Sequence, residues 1–244
     1  MRKALLITNA GDIKAKETFC YGVYQDVNTF RNFLVTPQGG SWYPEEIDIL
    51  DRPSITEVMS KLELLASYDY TFILFSGHGY VDKNGINVIH LKGECLEVTT
   101  LGVNATKRTI ILDSCRTFDD HEYIRKSFPH QVCTVDDIIR HRILFDNCIT
   151  NSKSGVIYGY ACSFGENAEE HSSGGAYCHS LMTAAHDIIH RGAPSIHTFA
   201  EVHRDAAVLV KQNTGGRQKA EIEILGGGIG FPFVVMAKGT GNSV

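Results

Sequence analysis

The chain alternates between short apolar runs and longer stretches in which apolar residues recur every three or four positions. Mostly apolar runs of about four to eight residues are short for buried helices and predict β-strands. Runs that are apolar on both faces are typical of a parallel sheet covered on both sides. The six runs lie at 4–8, 47–50, 70–75, 109–112, 155–162 and 231–235.

Amphipathic helices are predicted between the strands. Apolar residues spaced three or four apart predict a helix over 23–35. Ser54 and Glu57 form a capping-box pattern at the start of a second helix that ends near Leu65. Strands that alternate with helices form βαβ units, so the sequence predicts an α/β fold around a mainly parallel sheet. Three more helices are predicted over 134–145, 177–188 and 199–209.

The composition is that of an ordinary globular protein. The chain has 244 residues, of which 43% are hydrophobic and 21% charged, and a chain of this length can bury about 70% of its unfolded surface without disulfides or metals. The formal net charge of -5 gives no reason to expect nucleic acid or an anionic membrane as a partner. The opening apolar run is too short for a signal peptide, so we expect a cytoplasmic location.

Seven cysteines are present, an odd number without the spacing of a zinc ribbon. In a reducing compartment we expect free thiols that mostly fill the core. Two cysteines lie at the ends of predicted strands, Cys115 after 109–112 and Cys162 at the end of 155–162. Cys162 lies in an apolar Tyr-Ala-Cys run and is expected to be structural, whereas Cys115 follows its strand in the same way as His78 follows the strand 70–75. Since the carboxyl ends of neighbouring parallel strands meet at one edge of a sheet, we expect Cys115 and His78 to lie close together.

A thiol beside an imidazole is the arrangement of a cysteine nucleophile. The thiolate is the reactive form, and a histidine near neutral pH can accept the thiol proton. Gly77 and Gly79 flank His78, and glycines there let a substrate backbone approach closely. The pattern therefore predicts nucleophilic catalysis by Cys115 with the help of His78.

Four segments resemble motifs of the caspase-like cysteine peptidases of clan CD, and among these the bacterial metacaspases and orthocaspases most. Residues 72–79 (FILFSGHG) resemble the histidine motif, and residues 110–115 (IILDSC) resemble the cysteine motif in its metacaspase form. Residues 21–27 and 163–177 are similar to the segments that begin the first helix and the small-subunit helix of that family. The four motifs occur in the family's order and cover most of the chain.

The resemblance implies a three-layer caspase-like sandwich with a mainly parallel six-stranded sheet and helices on both faces. It implies one peptidase domain over 1–244, with a large-subunit-like part over 1–130 and a small-subunit-like part over 150–244. His78 would act as general base and acid, and Cys115 as the nucleophile. The backbone N–H groups of Gly79 and Cys115 would form the oxyanion hole.

Three further positions match those with which metacaspases bind an Arg or Lys side chain before the cut, namely Asp26, Ser76 and Asp113. Two carboxylates attract a guanidinium or ammonium group and repel an aspartate. The resemblance therefore implies a cysteine endopeptidase that cleaves after Arg or Lys. The chain departs from the family at Val23, where metacaspases often have cysteine.

Several alternatives stay open at this point. The substrate could instead carry an aliphatic or Asp residue before the cut. Asp26 could serve only its own helix N-terminus, and Asp113 could serve only loop amides. The chain could also be a catalytically silent caspase-like scaffold that binds a peptide or a partner protein.

The expected partners are protein or peptide substrates, and the family suggests a dedicated target such as a pore-forming or toxin precursor. Many metacaspases need calcium. The nearest acidic residues here, Asp119, Asp120 and Glu122, fall in a polar segment over 117–133 that is predicted to be a loop. A solvated loop explains these acidic residues as well as a metal does, so we predict no metal and no cofactor, and calcium dependence stays open as an alternative.

Overall fold

Strands and helices alternate along the chain in the computed structural model, which describes residues 1–14, 19–115, 117–118, 133–171 and 173–238. For residues 115, 117, 118, 170 and 171 the description covers the backbone. The predicted loop over 117–133 falls mostly outside these ranges, as do Asp119, Asp120 and Glu122. Within the described residues, no helix is both long and apolar enough to cross a bilayer.

The elements fall in the following order. They are β1 (Arg2–Asn9), α1 (Gly22–Val35), β2 (Ile47–Asp51), α2 (Ile55–Leu65), β3 (Tyr70–Val81), β4 (Asn87–His90), β5 (Cys95–Glu97), β6 (Lys107–Cys115), β7 (Thr117–Phe118), α3 (Val135–Asn151), β8 (Gly155–Tyr160), β9 (Glu169–His171), β10 (Gly174–Gly175), α4 (Ala176–Arg191), β11 (Ser195–Thr198), α5 (Phe199–Asn213), β12 (Glu221–Gly226) and β13 (Pro232–Met236).

The main sheet has the strand order β12-β8-β6-β3-β1-β2. Its first five strands in chain order, β1, β2, β3, β6 and β8, pair in parallel, and β12 pairs with β8 in the antiparallel direction. The β4–β5 hairpin extends the sheet from the end of β3. The predicted α/β sandwich around a mainly parallel sheet is therefore confirmed.

The identity of the sixth strand differs from the sequence prediction. The apolar run 231–235 forms β13, which pairs with β11 in a separate two-stranded sheet. The sixth strand of the main sheet is Glu221–Gly226, an edge strand whose residues are exposed or half-buried. A search for apolar runs finds buried strands, so it detected β13 and missed the more polar edge strand.

Side-chain alternation along the strands divides the core into two layers. Leu74 faces a cluster that contains the apolar sides of α1, α3, α4 and α5. Its neighbours Ile73 and Phe75 face a second cluster that contains α2 and the β4–β5 hairpin. Helices therefore cover both faces of the sheet, four on one side and one on the other among the described residues. We call the first side the four-helix layer.

We expect Leu74→Ala to destabilise the protein by about 2–5 kcal/mol, because Leu74 is fully buried in the four-helix layer and its truncation leaves a cavity. Leu64→Ala is the matched control, since Leu64 on α2 is 62% exposed. Urea unfolding of both variants measures the difference. Equal losses of unfolding free energy would contradict the assignment of the core.

Candidate active site

The parallel register of β3 and β6 sets the geometry of the site. The two strands pair without interruption from Thr71 opposite Arg108 to His78 opposite Cys115. Both strands include the candidate residues: β3 continues past His78 to Val81 and pairs there with β4, and β6 ends at Cys115. The backbone positions of His78 and Cys115 are thus directly adjacent at the carboxyl edge of the sheet, as the sequence predicts.

Alternation continues from the core into the site. Leu74 on β3 and Ile111 on β6 face the four-helix layer, so every second residue after them occupies the same face. The apolar positions give way to polar ones on this face as the strands reach their carboxyl ends. The positions concerned are Ser76, His78, Asp113 and Cys115.

Asp26 approaches this face from α1. Asp26 is only 3% exposed, and the Ser76 hydroxyl donates a hydrogen bond of 2.6 Å to its Oδ2. The backbone N–H of Gly175 donates to both carboxylate oxygens, at 3.1 and 3.2 Å. The structure thereby brings together Asp26 and Ser76, two of the three residues predicted to bind the substrate side chain.

Asp113 lies in the same buried group. Its Oδ2 accepts a 2.8 Å hydrogen bond from the backbone N–H of Cys178. Burial raises the pKa of Asp113 to about 6, and the hydrogen bond from Cys178 opposes that change. Burial also raises the pKa of the Cys178 thiol well above its usual value, with the negative charges of Asp26 and Asp113 acting in the same direction.

The two carboxylates hold the amino end of α4. The N-cap residue of this helix is Gly175, which has no side chain to accept the first amides. Asp26 and Asp113 supply that function from α1 and β6. Each carboxylate therefore has a structural role, although the amides belong to α4 and not to the first helix or a loop as the sequence alternatives supposed.

Gly174 and Gly175 lie in close contact with the carboxylates of Asp26 and Asp113. A Cβ atom on Gly174 would overlap Asp26 Oδ1, and one on Gly175 would overlap Asp113 Oδ2. Gly174 also has a φ of +120°, which disfavours any residue with a side chain. The double glycine before α4 is needed for the backbone to come this close.

Asp26, Asp113 and Cys178 are the one group of three potential metal ligands found among the described residues. Their ligand atoms all lie within 4.8 Å of one another, and all three residues are buried. Two carboxylates and a thiol could hold a divalent cation, and the same carboxylates could hold the cationic side chain of a substrate. The absence of a metal or cofactor stays a prediction.

The site contains a cysteine that the sequence did not single out. Cys20 Sγ lies 3.4 Å from Nε2 and 3.9 Å from Nδ1 of His78. Cys20 and Cys178 are buried, reduced thiols, as expected of core cysteines, and both lie beside residues of the candidate site. Cys20 lies 58 positions before His78 and carries no local motif, so only the folded chain reveals the contact.

A groove begins beside Gly79. It has a volume of about 370 Å³ and is lined by residues 79–82 at the end of β3 and just after it, and by residues 164–167 after β8. Phe164 in its wall is 69% exposed. A Cβ atom on Gly79 would lie 2.8 Å from Ser114 Oγ, so the residue after His78 has no room for a side chain. The groove has the size expected of a site for small ligands or peptide side chains.

These features define an α/β sandwich in which His78 and Cys115 occupy adjacent backbone positions at the carboxyl edge of the sheet. A family model described as the caspase domain matches residues 1–225. The chain therefore belongs to the caspase-domain family.

Solved structures share the fold. The crystal structure of protein GSU0716 from Geobacter sulfurreducens matches with a TM-score of 0.60 and 15% sequence identity, over 96% of this chain and 99% of that chain. At this identity the likeness concerns the fold alone. No curated protein sequence matches the chain.

We expect Asp113→Asn to change how stability depends on pH. The folded protein raises the pKa of Asp113 from 3.8 to about 6, so protonation of Asp113 favours the folded state. The unfolding free energy of the wild type should therefore fall relative to that of the variant, by at most a few kcal/mol, as pH rises from about 4 to about 6.

Unfolding free energies at several pH values measure the effect of Asp113→Asn. Asp205→Asn, on the exposed side of α5, controls for the loss of one negative charge. A difference between wild type and Asp113→Asn that rises with pH over this window would show that burial does not dominate.

We expect Gly175→Ala to cost about 1–3 kcal/mol of stability, because the new methyl group must displace the Asp113 carboxylate. Gly230→Ala is a milder change, since its Cβ would meet only the side chain of Ser152, at 3.1 Å. Thermal unfolding compares the two variants. A larger loss in Gly230→Ala would contradict the close packing at the start of α4.

Proposed function

We propose that this chain is a cysteine endopeptidase that cleaves proteins after Arg or Lys. The observation that carries the proposal is the arrangement on one face of β3 and β6. His78 and Cys115 are adjacent in register, and Ser76 and Asp113 precede them by two residues on the same strands. Asp26 joins this group from α1.

The proposed reaction begins with His78, which accepts the proton of the Cys115 thiol. The thiolate attacks the carbonyl carbon of the scissile peptide and forms a tetrahedral intermediate. Backbone N–H groups of Gly79 and Cys115 stabilise the negative oxygen. His78 then protonates the leaving amine, and water hydrolyses the acyl-enzyme to release the second product and the free thiol.

The distance from the proposed catalytic pair to the carboxylates matches the length of a basic side chain. Two residues along a parallel strand span about 6.6 Å, which separates the level of His78 and Cys115 from that of Ser76 and Asp113. An extended Arg has five bonds of roughly 1.5 Å between Cα and its guanidinium carbon, so its reach is similar. The guanidinium would then meet Asp26 and Asp113, which form charge-assisted hydrogen bonds with it.

The rival proposal is a catalytically silent scaffold that binds a basic peptide at the same carboxylates. The two functions differ in the reactivity of Cys115. A nucleophile beside a histidine reacts with thiol reagents faster than buried or unactivated cysteines do. Labelling with a limiting amount of iodoacetamide, followed by peptide mapping, distinguishes them. The peptidase proposal fails if Cys115 is not labelled faster than the other six cysteines.

The main test of activity and specificity is a peptide library in which every amino acid occurs at the position before the scissile bond. We expect cleavage after Arg and Lys by the wild type, and a loss of at least about 10³-fold in kcat/KM in Cys115→Ala and His78→Ala. Asp113→Asn should lower kcat/KM for Arg substrates by roughly 10- to 100-fold, the effect of one charge-assisted hydrogen bond. Glu63→Gln on the distant helix α2 is the matched control for charge.

Two outcomes would contradict parts of this proposal. Cleavage after Asp or aliphatic residues would overturn the role of the carboxylates while leaving the peptidase function intact. Full activity of Cys115→Ala would overturn the assignment of Cys115 as the nucleophile.

The proposed substrate is a protein. We also propose a cytoplasmic location and a dedicated target, such as a pore-forming or toxin precursor.

A further inference from the structure

Two histidines lie one turn apart near the carboxyl end of α4. His186 and His190 are four residues apart, so their side chains share one face of the helix. Their imidazole rings are 4.5 Å apart between centroids and nearly perpendicular, at 87°. The pair is separate from the candidate active site, because Cys178, whose amide contacts Asp113, lies two turns before His186, about 12 Å along the helix axis.

Both imidazoles can be reached from solvent. His190 is exposed, and the side chain of His186 is 19% exposed. The Nδ1 atom of His186 is buried, and it lies 3.7 Å from Oδ1 of Asp187. Nε2 is therefore the nitrogen of His186 that is left for a ligand from solvent.

The spacing of the two rings suits a shared metal ion. A metal ion bound by two imidazoles lies about 2.0–2.1 Å from each nitrogen, which places the two nitrogens roughly 3 Å apart. His186 and His190 are close enough to reach this separation by rotation about χ2, a torsion that is broad for histidine. Two histidines four residues apart on a helix are also the pair of ligands that helical zinc sites use.

The charges around the pair favour a cation. The carbonyl groups in the last turn of a helix carry partial negative charge, and His190 lies in that turn of α4. Asp187 places a carboxylate beside His186, and a carboxylate in this position orients an imidazole and strengthens it as a ligand. Arg191 follows His190 and opposes a cation, and the charge of Asp187 offsets that effect.

We propose that His186 and His190 bind a divalent transition-metal ion of the kind that imidazole prefers, such as Ni²⁺, Zn²⁺ or Cu²⁺. Ca²⁺ and Mg²⁺ prefer oxygen ligands and would not bind here. Water would complete the coordination of the ion. The proposal departs from the sequence-based prediction of no metal, and it does not depend on the proposed peptidase function.

The ion would stabilise the helix on which the candidate active site depends. Asp26 and Asp113 hold the amino end of α4 through the amides of Gly175 and Cys178. A metal ion held by two side chains one turn apart would brace the opposite end of the same helix. The site therefore lies outside the reaction while remaining on the same structural element.

The test is a calorimetric titration of the untagged full chain with nickel chloride, in a non-chelating buffer under nitrogen. Nickel is the probe because imidazole binds it well, whereas zinc is also drawn to cysteine thiolates. We expect saturation by one Ni²⁺ per chain at micromolar concentrations. His190→Ala should weaken this binding at least about 10-fold, because losing a ligand costs no less than losing a group that only orients one.

Two control variants locate the ion. The double variant His190→Ala/Arg191→His keeps the number of histidines but turns the second imidazole away from His186, so it should bind as weakly as His190→Ala. His197→Ala removes a half-buried histidine on β11 and should bind like the wild type. The absence of saturable nickel binding by the wild type, or wild-type affinity in either variant of His190, overturns the proposal.

Chemical protection provides a second readout that does not need peptidase activity. Diethyl pyrocarbonate acylates accessible imidazole nitrogens, and peptide mapping by mass spectrometry follows each histidine separately. Saturating Ni²⁺ should slow the modification of His190 several-fold and leave that of His197 unchanged. An unchanged rate at His190, or equal slowing at the two histidines, contradicts a site on α4.

Discussion

The candidate site depends on the register between β3 and β6. His78 lies opposite Cys115, and Ser76 lies opposite Asp113, only in the pairing that the sheet adopts. A slip of one residue would turn the residues of one strand to the other face. Leu74 and Ile111 pack in the four-helix layer, and Ile73 and Phe75 pack in the core on the other face. A slip would exchange these two sets of side chains and disrupt the close packing of both layers, so the core opposes it. The core therefore fixes the geometry of the site.

The amino end of α4 connects the fold to the proposed specificity. Asp26 and Asp113 are buried carboxylates, and buried charge is costly unless it has hydrogen-bond partners. The amides of Gly175 and Cys178 are such partners, and the positive end of the helix dipole adds to them. The same contacts hold α4 against α1 and β6. The carboxylates are thus in place before any substrate arrives, which reduces the cost of ordering the site on binding.

The sequence predicted what depends on local pattern and missed what depends on distant contacts. Apolar runs located the five parallel strands of the main sheet, and the capping box at Ser54 marked the start of α2. The edge strand Glu221–Gly226 was missed because its alternation of Glu and Ile has no continuous apolar run. Helix α3 extends to Asn151, past the predicted end at Phe145. Predicting the contact of Cys20 with His78 requires the path of the chain before α1, which no motif encodes.

Asp113 holds the start of α4 and is also proposed to bind the substrate side chain, and these two roles together limit how specificity could change at this site. A carboxylate has about four acceptor positions, and Cys178 takes part of this capacity through its amide and its thiol. A guanidinium can use the remainder, and its positive charge would lower the pKa that burial raises. Replacing Asp113 by an apolar residue would remove the carboxylate on which the proposed basic preference rests, and it would also leave the Cys178 amide without this partner in the core. A new preference at this position therefore needs a new partner for α4, so substrate choice and the packing of this helix must change together.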